Sequence, residues 1–183
     1  SITPKKYDEL NSKLCLLFIV GLGYEMMHFA KLLVKNPDLA INYNIAIRRS
    51  FHSWKDEQDQ AAMLLKKNKI SYKFADGALL EEIDVADIIL FESTSSSFQA
   101  SLMGKLIIQI QLSDVLNTNF FKKHKDMDTM LFCKSSIELK ERLKFINNLS
   151  ENEYQKLLKK QKIKISSIYN PSNIKELKKI LLT

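Results

Sequence analysis

The run Ser93-Thr94-Ser95-Ser96-Ser97 places five hydroxyl side chains in a row between two apolar segments, Ala86 to Phe91 and Phe98 to Met103. At the start of a helix such a run adds its hydroxyls to backbone N–H groups that the first turn leaves without partners. The positive end of the helix dipole then favours an anion. A phosphate fits this chemistry, and a diphosphate fits it best. A helix cap needs a single hydroxyl, so five exceed that requirement, although capping and anion binding both remain readings of the run. Arg48 and Arg49 close a second apolar segment, Tyr43 to Ile47, and guanidinium groups there offer bidentate countercharge to phosphate oxygens or a solvated surface. Gly21-Leu22-Gly23 follows the apolar run Leu14 to Val20, where two glycines permit close approach of a ligand or simply a tight turn.

Some chemistries are excluded by what these stretches lack. The glycine turn has no third glycine of a dinucleotide fingerprint and no lysine with Ser/Thr of a P-loop. The three histidines, His28, His52 and His124, are scattered, and the two cysteines, Cys15 and Cys133, lie far apart in apolar runs, so no metal site is expected. Free buried thiols and an intracellular, disulfide-free setting follow from the same pair.

The elements that must position these groups alternate in type. Leu14 to Val20 reads as a strand buried on both faces, and Met26 to Val34 as an amphipathic helix ended by Asn36-Pro37. Tyr43 to Ile47 is a second strand; Asp56 to Lys67 a helix with Ala61, Leu64, Leu65 and in part Met63 turned inward; Ile70 to Phe74 a short third strand. Leu79 to Ile83 suits a brief helix, and Ala86 to Phe91 a buried strand leading into the serine run. The helix opened by that run ends at Gly104, and Lys105 to Ile110 is the next strand. Met130 to Cys133 follows as a strand, then helices over Ile137 to Leu149, Glu151 to Ile165 with Ser150 as cap, and Asn173 to Leu182. This alternation specifies an α/β class, a Rossmann-like parallel sheet with helices on both faces. Ligands of such sheets bind beyond the carboxyl ends of the strands, which directs attention to the loops after Val20, Ile47, Phe74 and Phe91. Gly21, Gly23, His52 and Phe74 are therefore possible loop contacts, His52 being equally readable as an exposed loop histidine.

The stretch from Ala86 to Ile108, ADIILFESTSSSFQASLMGKLII, resembles the donor-site segment of GT-B glycosyltransferases, whose pattern is roughly A-D-hydrophobic-S-x-S-S-x-x-E-A-x-x-x-G-K-P-hydrophobic. About 25 residues carry the resemblance closely, and residues 13 to 149 follow it in element order. The resemblance implies the C-terminal, donor-binding half of such an enzyme, of the kind that builds bacterial lipopolysaccharide or capsule. It further implies that Ser95 and Ser96, with Ser93 and Thr94 beside them, hold the diphosphate of a nucleotide sugar, and that Gln99 stands at the ribose-binding position. Two departures alter the expected recognition: Gln99 replaces the usual Glu, and Leu106 the usual Pro. Relatives also carry a Lys/Arg-x-His-Pro element after the second strand, where this chain has Ile47-Arg48-Arg49-Ser50-Phe51-His52; Arg48 fits and the His-Pro does not.

The sequence has 183 residues, 45% hydrophobic and 27% charged, enough for one core, and the expected division is a linker or boundary segment over 1–12 and a single domain over 13–183. Its longest apolar run, Leu14 to Val20, is far short of the roughly 20 residues a spanning helix needs. The net charge of +7 is unevenly placed: residues 1–121 hold 13 basic and 14 acidic side chains, residues 122–183 hold 15 and 7. That basic third is either a solvated face or a surface for nucleic acid, an anionic membrane or a phosphorylated substrate. With only Tyr154 and Tyr169 among the C-terminal lysines beyond Phe145, no nucleic-acid partner is expected. The expected partners are a nucleotide-sugar donor, used as substrate with no cofactor, and an N-terminal acceptor domain missing from this chain. The expected place is the cytoplasm, including the inner membrane face. Two other readings compete: a non-catalytic Rossmann-like binding module, and a domain related to nucleotide-sugar epimerases.

Overall fold

The computed structural model describes residues 13–50, 55–112 and 132–168. Among these residues six strands lie in one sheet: β1 (Cys15–Ile19), β2 (Asn44–Arg48), β3 (Lys73–Phe74), β4 (Ile88–Phe91), β5 (Leu106–Ile110) and β6 (Phe132–Cys133). Their order is β3-β2-β1-β4-β5-β6, and every neighbouring pair is parallel. Parallel neighbours require crossovers, and the described ones carry α1 (Gly23–Lys35), α2 (Pro37–Asn42), α3 (Lys55–Lys67), α4 (Leu79–Val85) and α5 (Ser96–Leu102). Two further helices, α6 (Ser136–Asn147) and α7 (Glu151–Ile168), follow β6.

Strands covered on both faces have no polar side to alternate with, which is why β1 and β4 are continuous apolar runs and β5 is one but for the buried Gln109. In register, Leu17 stands opposite Ala46 on one side and Ile89 on the other, all buried. Successive side chains of β1 point to opposite faces, and Phe18 stacks on Phe29 of α1 with ring centroids 4.1 Å apart. Helix α1 packs along α3, while α5 packs on α7. The right-handed rule explains the segregation: the chain moves from β1 to β2 in one direction and from β4 to β5 in the other, so α1 and α5 fall on opposite faces. Between β1 and β4 the order reverses, opening the crevice at which such sheets receive ligands.

Local signals decide where elements stop. Gly104 takes φ of +86°, the left-handed conformation that ends α5 and releases the chain into β5. Ser150 N donates to Glu153 Oε2 at 2.9 Å and Glu153 N to Ser150 Oγ at 3.4 Å, a reciprocal capping box at the head of α7. Asp87 accepts from the amide of Cys15 at 2.6 Å and donates its own amide to the Cys15 carbonyl at 3.0 Å, pinning the starts of β1 and β4 together. On the inward face of α7, Gln161 is 2% exposed and bonds Ile107 N, Ser101 Oγ and the Lys105 carbonyl, joining α7 to α5 and β5.

Three expectations need correction. Asn36-Pro37 does end α1, but Pro37 also begins α2, because a first-turn position needs no N–H donor. Met63 does not turn inward: it is 63% exposed, while Ala61 and Leu65 carry the buried stripe with Gln58. Strand β3 is confined to Lys73 and Phe74, which pair with Ala46 and Ile47 of β2; Ile70 to Tyr72 precede the strand without joining the ladder. The expected start of β6 at Met130, the helix over Asn173 to Leu182, and the segment 1–12 lie outside the described residues.

Candidate functional site

The carboxyl ends of β1 and β4 bring the glycine turn and the hydroxyl turn together. Gly21 follows β1 and Gly23 is the first residue of α1; Ser93 and Thr94 follow β4, and Ser95 is the N-cap of α5. The two turns touch. A Cβ at Gly21 would lie 2.8 Å from Ser93 Oγ and 3.3 Å from the Thr94 amide nitrogen, so only glycine permits this approach.

Within the hydroxyl turn the side chains divide between structure and surface. Ser97 is buried and donates to the Thr94 carbonyl at 2.7 Å, and Thr94 Oγ1 accepts from the Ser96 amide at 3.3 Å. Ser95 has helical φ and ψ and makes no side-chain cap bond; it is exposed, as is Gln99 one turn further along α5. The run is therefore not used up by capping. The hydroxyl that carries a cap-like bond is that of Thr94, while Ser95 and Gln99 are exposed and Ser96 is half-buried.

Two carboxyl groups flank this turn, and neither was identified as a site residue from sequence. Glu25, fully buried in the first turn of α1, accepts from the Gly21 amide at 2.7 Å and from the Ser93 hydroxyl. Burial raises its pKa above the ordinary carboxylate value, with the Glu92 charge adding to the rise, while bonds from Ser93, Gly21 and Leu22 oppose it. Glu92, also buried, accepts from the Leu112 amide at 3.1 Å, and its carbonyl accepts from Gln109 Nε2 at 2.7 Å. Both bonds fasten the end of β4 to β5 and the residues after it. Nearby on α1, burial raises the Tyr24 pKa, helped by Glu92 and Glu25, and burial lowers that of His28, helped by Lys31. The signal for Glu25 was present in the sequence: a glutamate at the third helical position is the usual partner of backbone amides just before a helix.

Arg48 and Arg49 lie elsewhere on the same edge of the sheet. Arg48 is 8% exposed, and its Nη1 donates to the carbonyls of Gly77 at 2.6 Å and Ala75 at 3.3 Å, holding the loop after β3. Arg49 pairs with Asp76 at 2.9 Å and lies 4.3 Å above the ring of Phe74. Strand β1 separates both from the hydroxyl turn, so β2 and β4 are about 10 Å apart at the usual strand spacing. Phe74 thus serves as a platform for Arg49, and His52 lies outside the described residues. An open cleft of about 470 Å³ runs beside β3, lined by Lys66, Lys69, Ile70, Ser71, Tyr72 and Phe74, at the sheet edge remote from the two touching turns. Among the described residues no group of three or more His, Cys, Asp and Glu is placed to hold a metal ion, and no helix is long and apolar enough to cross a membrane.

A parallel sheet of this order with a hydroxyl turn at its reversal has the fold of the C-terminal domains of GT-B glycosyltransferases. Three solved structures show the likeness. The catalytic domain of cholesterol-α-glucosyltransferase from Helicobacter pylori superposes with a TM-score of 0.58 at 13% identity, over 83% of this chain and 98% of that one. The C-terminal domain of the glycosyl transferase group 1 family protein LpcC from Francisella tularensis gives 0.57 at 10% identity, over 86% of each chain. MurG from Acinetobacter baumannii gives 0.52 at 13% identity, with 96% of this chain covering 53% of that one. No family model matches the sequence, and no curated protein matches it.

Proposed function

We propose that this chain is the nucleotide-sugar donor-binding domain of a glycosyltransferase acting in bacterial surface glycan synthesis, lipopolysaccharide or capsule. The observation that carries the reading is the hydroxyl turn, Ser93 to Ser97, at the β1/β4 reversal of a glycosyltransferase-like sheet, with Ser95 and Gln99 exposed and Ser96 half-buried. Hydroxyls and first-turn amides there receive the donor's diphosphate, and their fixed dipoles stabilise the charge that grows on it as the glycosyl group leaves. Arg48 and Arg49 act one step removed, by shaping the loop after β3 that borders the same edge. The acceptor and the base that takes its proton belong to an N-terminal domain, in keeping with the coverage of little more than half of MurG. The enzyme works in the cytoplasm, where the basic last third draws it to the anionic inner face of the membrane.

Calorimetric and thermal-shift titrations with UDP, GDP, CMP and ADP test the reading. One nucleotide at 100 times its Kd should stabilise the chain by about 2.7 kcal/mol. The Ser95→Ala/Ser96→Ala variant should lose that gain while keeping its own melting temperature. Absence of binding by all four nucleotides to the unaltered chain at millimolar concentration overturns it.

A further inference from the structure

We propose that Glu25 is a positioning residue: its carboxylate, bonded at once to the Gly21 amide and the Ser93 hydroxyl, ties the turn after β1 to the turn after β4 and holds the hydroxyl turn in its receiving conformation. As a statement about donor binding, this rests on the function proposed above.

Glu25 joins the two turns. They leave neighbouring strands at the point where the sheet order reverses, and no strand pairing continues beyond Ile19 and Phe91. Of the bonds described for the two turns, the one that crosses between them runs from the Ser93 hydroxyl to Glu25, which also takes the Gly21 amide. One oxygen of its carboxylate takes the amide of the first turn and the other takes the opening hydroxyl of the second. The fit around this bridge is close, since even a methyl group at Gly21 would collide with Ser93 Oγ and press on Glu25 Oε2 at 3.3 Å. Full burial of Glu25 keeps water from competing for either oxygen, so the bond is directional and persistent.

A carboxylate is a costly choice for a buried brace. Glu92 stands close enough to raise the Glu25 pKa by repulsion, and the site it borders is proposed to hold an anion. An apolar residue at this point of α1 would pack without that cost but would leave the Gly21 amide and the Ser93 hydroxyl unmatched. The role that accounts for an ionisable group here is geometric: it accepts two donors from two different loops in one plane. The rest of the hydroxyl turn is closed on itself through Thr94, which accepts from the Ser96 amide and from the Ser97 hydroxyl. Fixing Ser93 therefore fixes the orientation of the whole turn relative to β1.

The test compares the unaltered chain with Glu25→Ala, Ser93→Ala, the double variant and Glu25→Gln. Two readouts are taken on each: backbone amide order parameters for residues 93–97, and affinity for UDP, GDP, CMP and ADP. Glu25→Ala and Ser93→Ala should each lower the order parameters of the turn from about 0.85 to below about 0.6, with β1, β4 and α3 unchanged. Each should weaken nucleotide binding about tenfold, and the double variant should weaken it no further, because both remove the same bond. Glu25→Gln can still accept from Gly21 and exchange a hydrogen bond with Ser93, and should restore both readouts. If Glu25→Ala does not fold, Ser93→Ala removes the bridge from its less buried end and decides alone. An ordered turn in a folded variant lacking the bridge, or additive losses in the double variant, overturns the proposal. Loosening of the turn in a chain that binds none of the nucleotides overturns the donor reading and leaves the brace standing. Undiminished nucleotide binding by every variant, with the turn ordered, does the reverse.

Discussion

Arg48→Met separates a structural arginine from a phosphate-binding one. The substitution keeps the aliphatic stem and removes the guanidinium, whose Nη1 holds the Gly77 carbonyl at 2.6 Å and the Ala75 carbonyl at 3.3 Å. A bond from a charged donor at the shorter distance contributes about 1.5–3 kcal/mol, and the longer one about 0.5–1 kcal/mol. Gly77 is exposed, so its carbonyl turns to water and recovers part of the loss; Ala75 is buried, so its carbonyl does not. The net expectation is destabilisation by about 2 kcal/mol, a fall in Tm of about 4–8 °C for a chain of this size. Urea unfolding followed by circular dichroism should show a lower midpoint at constant m. Nucleotide affinity at the hydroxyl turn should fall less than about threefold, because β1 stands between the two sites. An unchanged midpoint together with a tenfold or greater loss of nucleotide affinity would refute the reasoning and return Arg48 to the role of direct countercharge.

Gln161→Leu should destabilise the chain by about 2–3 kcal/mol in the same urea assay, since it strips buried partners from Ile107 N and Ser101 Oγ; a change below about 0.5 kcal/mol would show that α7 is not anchored there. Glu25 gives a pH signature. Its folded pKa lies above its ordinary 4.5, so its contribution to stability is present below that value and lost as pH rises through the folded pKa. The stability of Glu25→Gln relative to the unaltered chain should therefore climb from pH 4 upward and then level off. A relative stability that falls over this window would mean that the bonds from Ser93 and Gly21 outweigh burial. Cys133 has its thiol pushed up to about 11 by burial against an ordinary 9.0, so at pH 8 its thiolate fraction, and its labelling by a disulfide reagent, should be about 100-fold lower than in urea. Equal rates in the two conditions would place it at the surface.

The fold could be read from the chain because its signals are local and repeated. Cys15 to Ile19, Ile88 to Phe91 and Leu106 to Ile108 are apolar without alternation, and each lies in a strand covered on both faces. Ser150 and Glu153 stand at capping-box spacing and form that box. The misplaced details depend on partners distant in sequence. Whether Met63 or Ala61 faces inward depends on how α3 rotates against α1, and the extent of β3 depends on where its residues come alongside β2. The site was legible to the same degree. The hydroxyl turn was visible as composition, and element order set it among the loops at the strands' carboxyl ends; its place at the β1/β4 reversal comes from the strand order. The work of Arg48 was not visible, because its partners are backbone carbonyls, which no residue type announces. Glu25 escaped for a related reason: its partner Ser93 is 68 residues away, and only the return of the chain to β4 brings them together.

The sheet narrows toward its β3 margin, from five residues in β1 and β2 to two in β3. Two residues offer a neighbouring chain too little backbone for a stable added strand, so this rim is a poor template for strand exchange or fibril growth. Assembly with another domain or another copy at this rim must then proceed through side chains of loops and helices, whose fit is specific to sequence. Backbone pairing, which any extended peptide could supply, is closed off there, and recognition is left to surfaces that natural selection can tune.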